Sequence, residues 1–338
     1  MQVLHVFGSS QNEFYFDLSR MYADAVLRPD GVRHRFAAVA PDGAWRFGPN
    51  TRDLGKAMPL AQALDQVGTP DLIVPHMFCP KGMTTYRALF EDMLGIPVVG
   101  SPAAVTALAT SKLWTRDVVA SAGVQVARAQ RLGPGDIPDL PAPFVVKPDS
   151  EDNSLGISVV HAAHDAQKAV AHARQYADTI FAEAFVPGRE LRAAVIELDG
   201  DLMVPSVIEY PVSEARPIRE VADKLEQDET GEMQQSARAE AQPICPADLS
   251  PQVRSQIETA CRTAHRALRA RHYSLYDFRL HAETGELYML EAGLFWSFSD
   301  LSAITKMLRG SDMDATDVTG RIWAACAADT DKDLRSAA

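Results

Sequence analysis

Short apolar runs separated by amphipathic stretches fill the first hundred residues. Gln2–Phe7, Arg35–Ala40, Asp71–Phe78 and Ile96–Gly100 have strand length, while Phe14–Val26 and Thr84–Leu94 carry helical spacing. That alternation predicts a parallel, Rossmann-like sheet, and with no GxGxxG in it no dinucleotide is assigned. Ser101-Pro102 then opens a long helix in a cap-and-first-turn arrangement, running to about Ala122 and stopping at Gly123.

The middle of the chain has another rhythm. Phe144–Lys147 and Ile157–Val160 are strands around a polar loop, Pro148–Gly156; Asp165 caps a helix to Asp178, and Ile180–Phe185 is a strand leading out. From Glu190 to Tyr210 two strands flank Asp199-Gly200, a two-residue hairpin signal. Glu214–Gln242 is polar with no clean period and too long for a tight connection, which predicts a mobile loop or lid. Ser250-Pro251 starts a helix to about Ala270, and the Asp-, Lys- and Ser-rich tail after Ala327 is expected to fray.

Composition narrows the function. With 338 residues, 46% hydrophobic, the chain can bury the cores of two or three lobes. A net charge of -12 repels a phosphate backbone, so nucleic acid is not expected as a partner. No apolar run reaches the roughly 18 residues of a membrane span, and the start, MQVLHVFGSS, lacks the flank and cleavage site of a signal peptide. Cys79, Cys245, Cys261 and Cys326 have no paired spacing for zinc or disulfides, so reduced thiols in a cytoplasmic protein are expected.

The segment from Arg271 to Gly293 carries the most chemistry. Tyr273–Leu280 and Leu287–Glu291 read as strands joined by Glu283-Thr284-Gly285, a three-residue loop with Gly at its left-handed position. That register pairs Ala282 with Glu286 and sets Asp277 opposite Glu291, with Cβ atoms roughly 5 Å apart. Leu275, Leu287 and Met289 are expected on the same face, so little water relieves the repulsion and a cation or a shared proton must. Two carboxylates completed by water and phosphate suit Mg²⁺. A pair of solvated acids, or of general acid–base groups, also fits. Lys147 ends the apolar strand PFVVKP and is followed by DSEDNSLG, a small polar loop whose backbone N–H groups and Ser154 hydroxyl can meet phosphate oxygens. It is not a P-loop, since GxxxxGK[ST] does not occur.

From Val98 to about Met307 the chain resembles the D-alanine–D-alanine ligase branch of the ATP-grasp superfamily. The pieces GSPAAVTALATSK, VVKPDSEDNSLGISVV, AEAFVPGRE, ADKL and YDFRL…LYMLEAG carry the likeness in family order, and FGSSQNEFYFDLS resembles the family's first glycine-rich loop. The resemblance implies an α/β chain of α+β lobes, an ATP-grasp fold behind an N-terminal Rossmann-like domain. Its parts would be a domain over 1–101, a central subdomain over 102–186, a C-terminal subdomain with the metal site over 187–328, and a frayed tail over 329–338. It implies ATP and Mg²⁺, small-molecule carboxylate and amino-acid substrates, no membrane partner, and a homodimer. By position, Lys112 and Lys147 would hold the nucleotide phosphates, and Ser154 and Gly156 would belong to the loop closing over them. Glu183 would bind the adenine amino group beside the backbone of Ala184 and Val186, and Glu190 the ribose. Asp277 and Glu291 would ligate magnesium, Lys224 would ride on the loop that closes over substrate, and Glu13 and Ser302 would grip the amino acid.

Three departures stand out. The family's asparagine two residues beyond the metal-binding Glu is Gly293, and its arginine two residues before the magnesium Asp is Leu275. The glycine-rich substrate stretch is replaced by LFWSFSDLS, which argues against D-alanine itself. Arg279, two residues past Asp277 on the same strand face, is expected to take over the lost arginine's role, unless it pairs with an exposed acid near the turn. The segments HMFCPKGMTTYRALF, DSEDNSLG and EAGLFWSFSDLS are similar to ligases that attach an amino acid to a mycosporine core. A planar ring would suit Phe295, Trp296 and Phe298, unless these aromatics fill the core under the last helix. The implied reaction is phosphoryl transfer from ATP to a carboxylate, then attack by an amine. A small-molecule kinase, or an ATP-binding regulatory protein without turnover, are the alternatives.

Overall fold

Strand β1 (Gln2–Gly8) is apolar at nearly every position because it is buried on both faces. Val3 and Phe7 enter one core, Leu4 and Val6 another. In the computed structural model, which describes residues 1–151, 154–227, 233–238 and 241–336, β1 pairs in parallel with β2 (Arg33–Val39) and β4 (Leu72–Pro75). The sheet order is β3-β2-β1-β4, with β3 (Trp45–Gly48) an antiparallel edge strand that the sequence pattern did not reveal. Helix α1 (Glu13–Asp24) follows β1, Asn12 capping it through Tyr15 N at 2.9 Å. Helix α2 (Leu60–Val67) lies beyond β3. The stretch expected as one helix over Thr84–Leu94 is instead α3 (Pro80–Met83), α4 (Thr85–Ala88) and a π-helical turn over Leu89–Met93. Ile96–Gly100, expected as a strand, makes only a single bridge, Val98 to Ile73.

The long helix expected after Pro102 is two helices. α5 (Ala103–Thr110) ends at Ser111, whose extended backbone breaks the run, and α6 (Lys112–Ser121) begins there. Ser111 Oγ accepts from Trp114 N and donates to Asp149 Oδ2 at 2.7 Å, while Asp149 Oδ1 accepts from Leu113 N. The break therefore docks the first turn of α6, and Lys112 with it, onto the end of the central sheet. That sheet is antiparallel, in the order β5-β8-β6-β7: β5 (Ala129–Leu132), β6 (Phe144–Pro148), β7 (Ser158–Val160) and β8 (Ile180–Ala184). Phe144, Val146, Ile180 and Ala182 pack against α7 (Ala166–Ala173), shorter than expected. By strict alternation Val145, Lys147, Phe181 and Glu183 face the other way.

The C-terminal sheet runs β10-β9-β14-β15, with β11 (Ile208–Tyr210) also on β9. β9 (Gly188–Leu198) and β10 (Asp201–Met203) join through Asp199 and Gly200, both at positive φ, as the Asp-Gly signal requires. β14 (Tyr273–His281) lies between β9 and β15 (Leu287–Gly293). One face, with Leu191, Ala193, Tyr276, Phe278 and Met289, packs on α8 (Pro251–Ala267) through Ile257, Cys261 and Ala264. The stretch expected to be a lid holds β12 (Leu225–Gln227) and β13 (Met233–Gln235), which pair antiparallel; residues 228–232 and 239–240 of it lie outside the described residues. α9 (Ala303–Arg309) and α10 (Ala315–Ser336) finish the chain, α10 running through the stretch expected to fray; residues 337–338 lie outside the described residues. None of the four cysteines is in a disulfide, and no described helix is long and apolar enough to cross a membrane.

Candidate active site

The face of the C-terminal sheet turned away from α8 packs Ala194, Ile196 and Tyr273 into a core at one end and carries a lattice of charge at the other. Asp277 stands opposite Arg192 on one side and Glu291 on the other, and Arg279 stands opposite Glu190. Directly opposed residues share a face, so Arg192, Asp277 and Glu291 form one row across three strands. The Asp277–Glu291 pairing agrees with the sequence register, although two details of that register differ. The turn is one residue longer, with His281 N donating to Glu286 O, and near it Leu280 faces Leu287. A β-bulge at Leu290 then restores the pairing. Because of the bulge, Met289 turns to the α8 core, where its N–H meets Gln125 O at 2.9 Å. The acids are therefore not flanked by Met289 and Leu287; of the three apolar neighbours expected there Leu275 alone stays on this face, and Arg192 and Arg279 are the others beside Asp277.

Arg192 grips Asp277 with both Nε and Nη2, one to each carboxylate oxygen, and both side chains are mostly buried. Burial raises the Asp277 carboxyl, Arg192 pulls against it, and the Glu291 charge adds to the rise. Burial alone would raise Glu291 too, but Lys112, Lys147, Lys224 and Arg192 together hold it well below the carboxylate range. Lys112 Nζ lies 3.4 Å from Glu291 Oε2 and also donates to Glu151 O. Glu190 is gripped by Arg219 at 2.6 Å and Arg279 at 3.2 Å, and Arg219 stacks on Tyr210 at 3.5 Å from the ring centre. Lys147 reaches Glu183 at 2.6 Å, and Arg116 binds the other Glu183 oxygen.

Two cavities open against this face. The smaller, about 100 Å³, lies between the central and C-terminal sheets, with Lys147, Ser154, Glu183, Ala184, Val186 and Glu190 among its walls. The larger, about 320 Å³, lies toward α1 and the loop after β15, with Tyr15, Tyr22, Phe78, Phe295, Arg192 and Lys306 among its walls. Asp277, Glu291, Arg219 and Lys224 border both. A phosphoryl group handed from one cavity to the other would pass these four side chains.

Most of the residues singled out in the sequence thus come together. Ser154 takes a positive φ, and at Gly156 (φ 71°) a Cβ would strike Pro148 at 2.7 Å, so the turn of the loop demands glycine; residues 152–153 between them and β6 lie outside the described residues. Others fall elsewhere. Glu13 is exposed in the first turn of α1 and borders neither cavity; Tyr15, Leu18 and Tyr22 do. Trp296 and Phe298 are core residues stacked at 4.2 Å, so for them the packing alternative holds. Trp296 keeps an edge on the larger cavity and donates from Nε1 to Ser302 Oγ, which also caps α9. Phe295 instead packs on Phe78 at the cavity wall. Arg279 is buried, bonded to Gly188 O and Pro217 O besides Glu190, and lies over Phe185 in the smaller cavity, so its partner is no exposed acid at the turn. Arg192, Arg116 and Arg219 were not identified from the sequence. The period-2 alternation of GRELRAAVIEL does put Arg192 on the face of Glu190, but nothing local told which strand would lie beside it.

For a divalent cation the donor set fits one ion. Asp277 and Glu291 offer hard oxygens side by side, and each Asp277 oxygen keeps a lone pair beyond the one taken by Arg192. No described group of three or more His, Cys, Asp or Glu side chains could hold a metal by itself, so the remaining ligands would come from phosphate and water.

Comparison with known proteins gives the family. Residues 136–323 match the family described as D-ala D-ala ligase C-terminus. The D-alanine–D-alanine ligase of Desulfotalea psychrophila is 32% identical over 233 residues, 67% of this chain and 68% of that one. That of Geobacter sulfurreducens is 28% identical over 276 residues, covering 80% and 81%. The crystal structure of the VanG D-Ala:D-Ser ligase from Enterococcus faecalis superposes with a TM-score of 0.78 at 19% identity, over 96% of this chain and 99% of that one, a likeness of fold. The fold is that of the D-alanine–D-alanine ligases, an ATP-grasp family. The chain belongs to the D-alanine–D-alanine ligase family. It is an ATP-dependent ligase that forms a C–N bond.

Proposed function

We propose that the smaller cavity holds ATP and the larger one an acceptor carboxylate, and that the two react across the wall made by Asp277 and Glu291. The sharing of that wall by both cavities is the observation that carries the reading. The carboxylate oxygen attacks the γ-phosphorus, the bond to the β-phosphate oxygen breaks, and ADP leaves. An amine then attacks the acyl carbon, and phosphate departs with the carboxylate oxygen it received. Magnesium, held by Asp277 and Glu291, would neutralise phosphate charge. Lys112, Lys147 and Lys224 surround Glu291 closely enough to depress its pKa, which supports a role for them at the phosphates. Ser154 and Gly156 shape the loop over the same cavity, Glu183, Ala184 and Val186 its purine end, and Glu190 with Arg279 its ribose end. Little covalent work falls to the protein; placement and charge do most of it.

The acceptor is a planar, ring-bearing carboxylate of mycosporine type, joined to an amino acid. Tyr15, Tyr22, Phe78 and Phe295 give the larger cavity aromatic walls, and Arg192, Lys306 and Ser302 are among its polar ones. Flat rings stack on such walls, whereas a methyl group leaves them uncovered. A cytoplasmic homodimer completes the proposal, on the family likeness alone. Steady-state ADP release with paired carboxylates and amines tests it. The expected result is turnover with a cyclic carboxylate plus an amino acid, phosphate release requiring both; rapid turnover on D-alanine alone would contradict the ring-bearing acceptor. Phosphate transfer that stops without the amine at a stable phosphorylated product would identify a kinase.

A further inference from the structure

Arg192 lies against Asp277 on the side of the larger cavity. Its guanidinium takes both oxygens of Asp277, borders the larger cavity and stays out of the smaller one. The charge it carries is fixed, since a guanidinium does not lose its proton in a protein. Around the row the neighbours offer no further metal ligands. Leu275 is apolar, Gly293 has no side chain, and no third described acid, histidine or cysteine joins the pair. A second divalent ion at Asp277 would therefore lose most of its protein ligands and would sit against a permanent positive charge.

We propose that this ligase works with one divalent ion per site, and that Arg192 supplies the second positive charge from the acceptor side. In this role the guanidinium faces the carboxylate as it is phosphorylated. Its two-pronged hold on Asp277 keeps the fork oriented, and its remaining N–H donors point to the oxygen that gains charge. Arg279, by contrast, is held at the ribose end by Glu190, Gly188 O and Pro217 O, so it is not the arginine at the reacting centre.

The inference rests on the two-cavity reading, and the experiment separates the two. Full-length protein is titrated with Mn²⁺ in the presence of one equivalent of adenylyl imidodiphosphate per chain, and bound Mn²⁺ is counted by loss of the free-ion EPR signal, against the analogue alone. One ion per native chain is expected. Arg192→Lys keeps the charge and loses the fork, so it should still bind one ion while kcat falls about 10²-fold or more, with the KM for ATP little changed. Combining Arg192→Met with Gly293→Asn should raise the count to two. The new side chain has room, since a Cβ at Gly293 would meet nothing nearer than Leu275 Cβ at 3.8 Å. Two ions on the native chain would overturn the proposal, as would an Arg192→Lys enzyme with native kcat. No nucleotide-dependent ion uptake at all would instead remove the reading of the two cavities beneath it.

Discussion

Asp277 and Glu291 look equivalent in sequence but differ in what holds them. Asp277 is clamped by Arg192, and the side chains are 9% and 19% exposed; Glu291 is about a third exposed and faces Lys112, which has Glu151 O as well. Asp277→Asn strands a buried guanidinium, and breaking such a pair costs about 3–5 kcal/mol. Glu291→Gln leaves no comparable charge buried alone. Both changes should remove most turnover, because each takes a charged ligand from the ion that would neutralise the phosphates. Only Asp277→Asn should lower the thermal midpoint substantially, which circular dichroism would read. Equal midpoints for the two variants would show that the Arg192 clamp is not structurally important.

At the scale of elements, what was legible in the sequence followed local rules, and what was not followed contacts between distant segments. The Asp199-Gly200 turn, the Ser250-Pro251 helix start and the strand carrying Lys147 are local, and each stands as read. The Asp277–Glu291 pairing was found although the loop has one more residue than expected, because the bulge at Leu290 compensates. That bulge exists because Gln125, 164 positions earlier than Met289, takes Met289's N–H; no spacing within the hairpin announces it. The break at Ser111 has the same origin. Its partner is Asp149, on a loop that only folding brings near, so an unbroken helix was the natural reading of ALATSKLWT. The aromatic segment LFWSFSDLS divides between core and cavity for a reason no pattern encodes: Trp296 and Phe298 meet Tyr273 and Trp323, whereas Phe295 meets Phe78.

Across the molecule, the N-terminal sheet carries a liability away from the reaction. His34, His5 and His76 form a chain of imidazole contacts at 2.8 and 2.9 Å inside the core, against Phe36 and Trp323. Burial lowers all three, with neighbouring charge adding to it at His5 and His34. His34 falls to about 4, His76 to about 3, and His5 lies well below its usual value. The folded chain thus binds fewer protons than the unfolded one between about pH 3 and 6.5, so stability rises with pH through that window and is complete above it. The thermal midpoint should fall steadily from pH 7 to pH 5, and His34→Gln, which removes one titrating ring at the half-buried end of the chain, should make the fall shallower. A midpoint unchanged over that range would contradict the buried, neutral cluster. The central claim concerns the wall between the two cavities, and isotope transfer tests it most directly. With an acceptor whose carboxylate carries ¹⁸O, turnover should place one ¹⁸O atom in each phosphate released, with ADP formed in equal amount. Label appearing in AMP, with pyrophosphate as the other product, would contradict phosphoryl transfer across Asp277 and Glu291.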